Sequence, residues 1–338
     1  MRAVGYTVPG PIDRPDSLLD IELPRPQPAG RDILVQVRAI SVNPADTKLR
    51  ASARPPAGEW KVLGYDVAGI VVEIGPEVTM FAHGDEVFYA GDITRSGGNA
   101  EFHLVDERIV GHKPRSLGWA EAAALPLTSI AAWEALFDRL DVKRSVSGAN
   151  SLLIIGGAGG VGSIAVQLAR QLTDLEVIAT ASRQDTREWV AQLGAHHVID
   201  HRKPLSAEIE AARLSAPGFV FSTTHTEAHL PEITRLIAPQ GRLALIDDPE
   251  VFDIVPLKIK TVSVHWELMF ARPMHKTADM IEQAHLLDEL ARLVDAGTIR
   301  TTLAEHFGSI SAENLKHAHA FVESGRARGK AVLEGFPG

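Results

Sequence analysis

The segment from Ser151 to Ala165 constrains this chain most, because it joins three patterns in one uninterrupted run. Four aliphatic residues at 152–155 are followed at once by a cluster of glycines and then by small residues at helical spacing. This order predicts a buried parallel strand that leads through a tight turn into a helix. The N-terminus of such a helix is a binding site for a pyrophosphate.

Within this segment, three glycines fit the G-x-G-x-x-G spacing of dinucleotide-binding turns. The first permits the tight turn, the second lets the backbone approach the phosphates, and the third lets helix and strand pack closely. Apolar residues then recur on one helix face up to residue 172, and an apolar run at 177–181 predicts the next parallel strand. A flexible glycine loop between two core elements is the alternative. The predicted cofactor contacts here are Gly157, Gly159, Gly160 and Val161.

The residues after the second predicted strand indicate which nicotinamide cofactor the chain prefers. Chains that bind NAD usually place Asp or Glu there to bind the ribose 2′-hydroxyl, whereas this strand ends in Ala181, Ser182 and Arg183. A hydroxyl and a guanidinium can bind a 2′-phosphate, which a carboxylate would repel. Ser182 and Arg183 are therefore predicted ligands of NADP(H); alternatively, Arg183 is a solvated surface charge.

Composition narrows the class of protein. The 338 residues suit two domains, and the net charge of −9 argues against nucleic-acid or anionic-membrane partners. No apolar run approaches the roughly 20 residues needed to cross a bilayer, and prolines at 9 and 11 interrupt any N-terminal signal peptide. Because the chain has no cysteine, it has no disulfide, thiol nucleophile or thiolate zinc ligand. We expect a cytoplasmic enzyme.

The chain divides into three stretches. Up to about residue 120, short β-type runs broken by Gly and Pro predict a barrel-like β domain. From about 120 to 265, strands alternate with helical patterns, which is typical of an α/β domain with a doubly wound parallel sheet. Near the end, Thr277 is predicted to cap a helix that stops at Gly297. Polar residues that follow the later strands are expected near the cofactor, and they are Thr223, Thr224, Asp247 and Asp248.

Several further segments carry a family resemblance over essentially the whole chain. They include residues 41–46 (SVNPAD), 64–69 (GYDVAG), 97–101 (GGNAE), 125–136 (LPLTSIAAWEAL) and 329–333 (GKAVL). With the glycine loop, they resemble the medium-chain dehydrogenase/reductase superfamily, in its zinc-independent quinone oxidoreductase-like branch, whose members are often named zinc-type alcohol dehydrogenase-like. The resemblance implies a GroES-like β-barrel domain at 1–122 and 268–338 and a Rossmann domain at 123–267. It also implies a homodimer.

The resemblance bears directly on zinc. In zinc-dependent relatives a cysteine stands at the position of Asn43, a histidine at that of Tyr65, and another cysteine in the region of Thr128. An amide oxygen and a phenol are poor substitutes for thiolate and imidazole, so we predict no metal. The 14 histidines offer one local alternative, His225 with His229, but the residues around this pair do not match a zinc motif.

The resemblance also implies a reaction. Without a metal to polarise a carbonyl, the expected acceptor of hydride from NADPH is a quinone or an α,β-unsaturated carbonyl. Asn43 and Thr128 should lie at the nicotinamide, and Tyr65 is the candidate hydrogen-bond donor to substrate; a packed aromatic is the other reading of Tyr65. Some enoyl reductases have a tyrosine proton donor where this chain has Lys48, which either protonates an enolate or is only exposed to solvent.

The remaining candidates are weaker. His201 stands where relatives often place a tyrosine near the 2′-phosphate, and Lys330 resembles a C-terminal G-K segment that approaches the cofactor; each is alternatively a surface residue. Ile246 completes the expected cofactor contacts, together with Phe270. Phe270 is also expected in the wall of the substrate site with Trp266 and Met269, unless these three are core residues.

Three classes of function stay open at this stage. The first is an NADPH-dependent, zinc-independent reductase of quinones or enones. The second is an alcohol or aldehyde dehydrogenase-reductase that holds a metal. The third is a non-catalytic NADPH-binding protein, because binding motifs do not prove turnover.

Overall fold

A computed structural model describes residues 1–146 and 148–337. The chain divides into two compact units, one formed by residues 1–130 and 270–338 and the other by residues 131–269. These limits differ from the predicted domain boundaries at 122 and 268 by eight and two residues. Within the described ranges, every helix is too short or too polar to span a membrane.

Strands predominate up to residue 112, and from β9 onward strands alternate with helices. In chain order the strands are β1 (Arg2–Tyr6), β2 (Leu19–Glu22), β3 (Asp32–Val42), β4 (Lys61–Val62), β5 (Val67–Ile74), β6 (Glu86–Tyr89), β7 (Phe102–Asp106), β8 (Val110–His112), β9 (Ser151–Ile155), β10 (Glu176–Thr180), β11 (His197–Ile199), β12 (Phe219–Ser222), β13 (Arg242–Leu245), β14 (Ser263–Trp266), β15 (Leu303–His306) and β16 (Lys330–Glu334). The α-helices are α1 (Pro44–Ser52), α2 (Trp119–Ala123), α3 (Pro126–Trp133), α4 (Gly160–Leu172), α5 (Gln184–Gln192), α6 (Leu205–Ala211), α7 (Thr226–Leu236), α8 (Ala271–His275), α9 (Glu282–Asp295) and α10 (Ala312–Glu323).

The second unit is built on a six-stranded parallel sheet with the order β11-β10-β9-β12-β13-β14. Numbered within the sheet, this order is 3-2-1-4-5-6, the Rossmann arrangement. Every residue of β9 is buried, as expected for a central parallel strand covered by helices on both faces. The predicted doubly wound α/β fold is confirmed, and its switch point lies between β9 and β12.

The first unit is a β domain with a seven-stranded sheet and a three-stranded sheet. Its centre is β3, an 11-residue strand that pairs with β5, β7 and β16. The pairing with β16 is antiparallel and places Ala331 opposite Val42. The predicted GroES-like domain is confirmed, and this register brings the C-terminal strand to the end of β3.

One predicted helix begins later than expected. Thr277 does not cap it; instead the carbonyl of Thr277 accepts the N–H of Met280 in a turn, and α9 starts at Glu282. The predicted end is confirmed, because Gly297 follows the helix with φ +71°. A threonine before an apolar period is therefore not enough to identify a cap when a second turn intervenes.

Candidate functional site

The glycine loop after β9 keeps its conformation because its glycines have no side chains. Gly156 has φ +82°, a conformation that favours glycine. A Cβ at Gly162 would overlap the carbonyl oxygen of Gly156 and lie 2.7 Å from the Cα of Gly157. A Cβ at Gly159 would meet only that same carbonyl oxygen, at 3.5 Å. The loop therefore leaves no space for a side chain at Gly162, whereas it has space for a small side chain at Gly159.

Thr180, at the end of β10, anchors this loop and was missed by the sequence reasoning. Its hydroxyl oxygen accepts the N–H of Gly156 at 3.0 Å, and its carbonyl accepts the N–H of Gly157 at 3.1 Å. A buried threonine at a strand end gives no distinctive sequence signal, because the pairing of β10 with β9 is what brings it to the loop.

Helix α4 begins directly after the loop, with Gly159 as its N-cap. Gly160 and Val161 occupy the first turn and are partly exposed. The N–H groups of a first turn have no acceptor within the helix, and the helix dipole favours negative charge there. The four predicted glycine-loop contacts therefore surround one anion-binding helix terminus, which fits a pyrophosphate.

Basic side chains gather at the end of β10. Arg183 is the N-cap of α5, and its Nε lies 3.3 Å from Asp185 Oδ1. Arg202, which sequence reasoning did not single out, donates to the carbonyl of Ser182 at 3.1 Å and pairs with Asp200 at 2.7 Å. The hydrogen bonds from Arg202 lower the pKa of Asp200. Both nearby carboxylates are thus engaged by arginines, beside a partly buried Ser182.

His201 lies beside Thr180, the residue that ends β10. Its Nδ1 is 3.3 Å from the hydroxyl of Thr180, and its ring lies 6.4 Å from that of His229. Burial lowers the pKa of His201, with Arg202 and His225 adding to the effect and Asp200 opposing it. The imidazole is therefore mainly neutral at pH 7.

Two more predicted contacts follow β12 and β13. Thr223 donates its hydroxyl to the carbonyl of Ile155 at 2.8 Å, and Ile246 follows Leu245 at the end of β13. Asp247 has a structural task, because its carboxylate accepts the N–H and the hydroxyl of Thr226 at the start of α7. The predicted cofactor contacts of this unit thus follow five adjacent strands, β9 to β13, at the carboxyl edge of the sheet.

The first unit contains a buried polar cluster centred on Asp66, which is fully buried. Its Oδ2 accepts bonds from Ser41 Oγ at 2.8 Å, Asn43 Nδ2 at 2.7 Å and Lys330 Nζ at 2.9 Å. Its Oδ1 accepts the N–H of Leu127 at 2.7 Å. We call Ser41, Asn43, Asp66 and Lys330 the Asp66 cluster.

Asn43 and Lys330 are bonded to each other inside this cluster. Lys330 Nζ donates to Asn43 Oδ1, and also to the carbonyl of Val42 at 3.1 Å. Asn43 is 1% exposed and Lys330 is 3% exposed. The structure therefore places these two predicted cofactor contacts within the cluster, with their polar atoms directed to one another and to Asp66.

Tyr65 and Phe270 pack together. Their ring centroids are 5.4 Å apart at 78°, and both side chains are buried. The Tyr65 hydroxyl has no hydrogen-bond partner among the described residues, and burial raises its pKa, with Asp46 adding to the effect. This hydroxyl stays protonated at neutral pH, and no described residue accepts a hydrogen bond from it. Met269 is buried as well, whereas Trp266 is 55% exposed.

Thr128 and Lys48 differ in their surroundings. Thr128 is buried on α3 and donates its hydroxyl to the carbonyl of Leu125 at 3.1 Å. Lys48 is exposed on α1. Among the predicted residues of this unit, the structure brings three together. Asn43 and Lys330 are in contact with each other, and Asn43 Nδ2 lies 3.4 Å from the carbonyl oxygen of Tyr65.

The residues at the zinc-ligand positions do not fit zinc. Asn43 Oδ1 is engaged by an ammonium group, which a Zn²⁺ ion would repel, and a phenol whose pKa is raised is a poor ligand. Among residues 1–146 and 148–337, no group of three His, Asp or Glu side chains is arranged to hold a metal. In the His225–His229 alternative, His225 precedes α7 as its N-cap and has φ 52°, so the pair does not occupy two positions of one helix.

Comparisons with known proteins agree with this architecture. An alcohol dehydrogenase GroES-like domain model matches residues 29–132, and a zinc-binding dehydrogenase model matches residues 193–333. A zinc-type alcohol dehydrogenase-like protein of Staphylococcus aureus is 39% identical over 98% of this chain and 99% of its own length.

Solved structures are similar over the same length. A Rhizobium etli protein that carries the provisional name zinc-dependent alcohol dehydrogenase is 66% identical, with a TM-score of 0.98 over 100% of this chain and 98% of that one. Escherichia coli quinone oxidoreductase complexed with NADPH is 21% identical, with a TM-score of 0.83 over 99% and 100% of the two chains, which shows a shared fold. The chain belongs to the medium-chain dehydrogenase/reductase superfamily of nicotinamide-dependent oxidoreductases.

Proposed function

We propose that this protein is an NADPH-dependent, zinc-independent oxidoreductase that reduces a quinone or an α,β-unsaturated carbonyl compound. The observation that carries the proposal is the arginine pair at the end of β10. Arg183 and Arg202 flank Ser182, and the nearby carboxylates Asp185 and Asp200 are engaged by these same arginines.

The second unit offers candidate contacts for the phosphate groups of NADPH. The loop and the first turn of α4 would hold the pyrophosphate, while Ser182, Arg183 and Arg202 would bind the 2′-phosphate through charge-assisted hydrogen bonds. His201, as a neutral imidazole, would donate or accept one more bond there. Escherichia coli quinone oxidoreductase, which shares the fold, was solved with NADPH.

The choice of substrate follows from the groups available to stabilise charge. When bound, the nicotinamide supplies a hydride. The side chains at the zinc-ligand positions do not suit a metal ion that could act as a Lewis acid. The proposed substrate is therefore one whose reduction produces an enolate or phenolate, in which the negative charge is delocalised. The Tyr65 hydroxyl, which is protonated and has no acceptor in the described part of the chain, would donate a hydrogen bond to that oxygen. Asn43 would keep its amide fixed by Lys330 and Asp66.

We further propose a cytoplasmic homodimer. Strand β14 lies at the edge of the parallel sheet, and an unpaired edge is a template for association with another strand. Exposed apolar side chains lie on or near this edge: Val255, Ile259 and Trp266, at 71%, 89% and 55%. Light scattering of purified protein would test the dimer, and cell fractionation its location.

The test of the proposed function is a substrate panel with Arg183→Ala. Wild-type protein should oxidise NADPH with quinones and 2-alkenals but not with saturated aldehydes, and it should not reduce NADP+ with simple alcohols. Arg183→Ala should raise the Kd of NADPH roughly 10- to 100-fold, the value of one or two charge-assisted bonds, and leave NADH within about twofold. Arg235→Ala is the matched control, since Arg235 is an exposed arginine paired with Glu232 in the last turn of α7.

The other classes predict different results. Equal losses for NADPH and NADH would contradict the assigned phosphate site. Tight NADPH binding without turnover of any acceptor would favour a non-catalytic nucleotide-binding protein. Stoichiometric metal in the purified protein, with activity lost on chelation, would favour an alcohol or aldehyde dehydrogenase.

A further inference from the structure

We propose that the ammonium group of Lys330 is a built-in cation at the zinc-ligand position, where it positions Asn43 and Asp66 in place of a metal ion. Lys330 is thus a positioning residue that acts through Asn43. The proposal deepens the zinc independence proposed above and rests on it only for its activity readout, because its stability readouts need no substrate.

The bonding of the ammonium group is complete. Lys330 Nζ has three N–H donors, and three oxygens accept them: the carbonyl of Val42 at 3.1 Å, Asp66 Oδ2 at 2.9 Å, and Asn43 Oδ1. The lysine is 3% exposed and Asp66 is fully buried. A buried ammonium with every proton engaged has no donor left for a nucleotide, so its role is internal.

The ammonium also decides how the Asn43 amide is turned. Asn43 Oδ1 faces the positive charge, and Asn43 Nδ2 then donates to Asp66 Oδ2 at 2.7 Å. The opposite rotation would set the NH₂ group against the ammonium and the oxygen against the carboxylate. Charge therefore selects one amide orientation.

Asp66 carries this effect to other segments. It accepts bonds from Ser41 in β3, from Leu127 in the first turn of α3, and from Lys330 in β16. A bound metal ion often holds together ligands that are distant in the sequence. Here the ammonium group of Lys330 does so, by binding Val42, Asn43 and Asp66. Neutralising Lys330 should leave the buried Asp66 charge uncompensated, which is strongly destabilising.

The first experiment is a double-mutant cycle of Lys330→Met and Asp66→Asn, followed by urea unfolding of the full chain. Each single variant should lower the unfolding midpoint, and the double variant should recover much of the loss, because it has no unpaired buried charge. Lys113→Met is the matched control: Lys113 is also buried and bonded to two carbonyls, of Pro114 and Leu117, but lies outside the cluster. Its effect should add to that of Asp66→Asn. Additive effects for Lys330→Met as well would overturn the proposal.

The second experiment restores the charge chemically. Because the chain has no cysteine, Lys330→Cys can be alkylated uniquely in denaturant and then refolded. 2-Bromoethylamine yields a lysine analogue with a sulfur in the side chain, and 1-bromopropane yields a neutral side chain of the same length. Only the aminoethyl form should regain the wild-type unfolding midpoint. Equal midpoints for the two forms would overturn the proposal.

Activity provides the readout that a merely structural role would not move. With the best acceptor of the substrate panel, Lys330→Met should lower kcat on the order of 10- to 100-fold, as loss of an orienting second partner commonly does. The KM for NADPH should stay within about twofold, because the proposed phosphate contacts follow β9 to β11 and lie outside the Asp66 cluster. Lys113→Met should retain wild-type kcat. If the panel finds no substrate, the proposed function fails, while the cycle and the alkylation still decide the role of Lys330.

Discussion

The glycine loop of the second unit and the Asp66 cluster of the first unit solve different physical problems. The loop at 156–162 contains no ionisable side chain and depends on the absence of volume, with Gly162 packed against the backbone of Gly156 and Gly157. The cluster depends on charge, with an ammonium and a carboxylate that are both buried. Substitutions that add side-chain volume should therefore disturb the loop, whereas substitutions that change a charge should disturb the cluster.

The two regions also differ in how the chain assembles them. The loop is one contiguous segment between β9 and α4. The cluster joins residues of β3, β16 and the segments that precede α1 and β5, and its ion pair spans 264 positions. Backbone geometry can thus be specified locally, whereas pairing of buried charges requires long-range register.

The largest effect that would test this contrast is expected from Gly162→Val. The new side chain would collide with the loop backbone, so we expect a loss of about 3 kcal/mol in the free energy of unfolding. NADPH binding should weaken by at least about 100-fold, equivalent to roughly 2.7 kcal/mol. Gly159→Ala is the control, because its Cβ meets only one atom, at 3.5 Å. It should retain wild-type stability and lose affinity only; equal destabilisation by both variants would contradict the volume argument.

An intermediate effect should appear in the pH dependence of stability, through Asp46 beside the cluster. Burial raises the pKa of Asp46 to about 6, despite bonds from the N–H groups of Asn43 and Gly64. The folded state then holds this proton more tightly than the unfolded chain, whose value is 3.8. This contribution to stability is complete below pH 3.8 and is lost as pH rises through 6, at most about 3 kcal/mol.

Urea unfolding at intervals from pH 4 to 7 measures this contribution as the difference in slope between wild type and Asp46→Asn. The asparagine variant should lose the negative slope in that window. The same slope in both proteins would show that Asp46 titrates normally, and that burial in this region costs less than we infer. Gly159→Ala should keep the wild-type slope, because the loop has no titrating side chain.

The smallest effects should come from single hydroxyl deletions, one in each region. Thr180→Val leaves the N–H of Gly156 without its acceptor and should cost about 1–2 kcal/mol in the free energy of unfolding. Ser41→Ala removes one of four donors to Asp66 and should cost about 1 kcal/mol or less. Isothermal titration should show weaker NADPH binding only for Thr180→Val. Weaker binding for Ser41→Ala as well would mean that the two regions are energetically coupled.

Much of the architecture could be predicted from the sequence. The apolar runs at 152–155 and 177–181 coincide, to within one residue at each end, with β9 (Ser151–Ile155) and β10 (Glu176–Thr180), because a strand buried on both faces must be continuously apolar. The start of α9 was missed, since a turn at 277–280 precedes that helix and mimics a cap signal. Helix ends depend on such local competition more than helix centres do.

The site was predicted unevenly for a related reason. Ser182 and Arg183 adjoin a strand end and could be found from their position. Arg202 reaches Ser182 only because β11 pairs with β10, and Asp66 acquires its donors only because β16 returns to β3. The spacing of these residues along the chain does not predict those contacts.

The sequence by itself determined the family, the parallel-sheet nucleotide fold and the glycine loop, because backbone freedom and apolar periodicity are properties of neighbouring residues. Only the tertiary structure decided that Lys330 faces Asn43 and Asp66 rather than solvent or a nucleotide. The physical reason is that an ammonium group is stable inside a protein only where several acceptors converge on it, and the register of β16 on β3 brings those acceptors together.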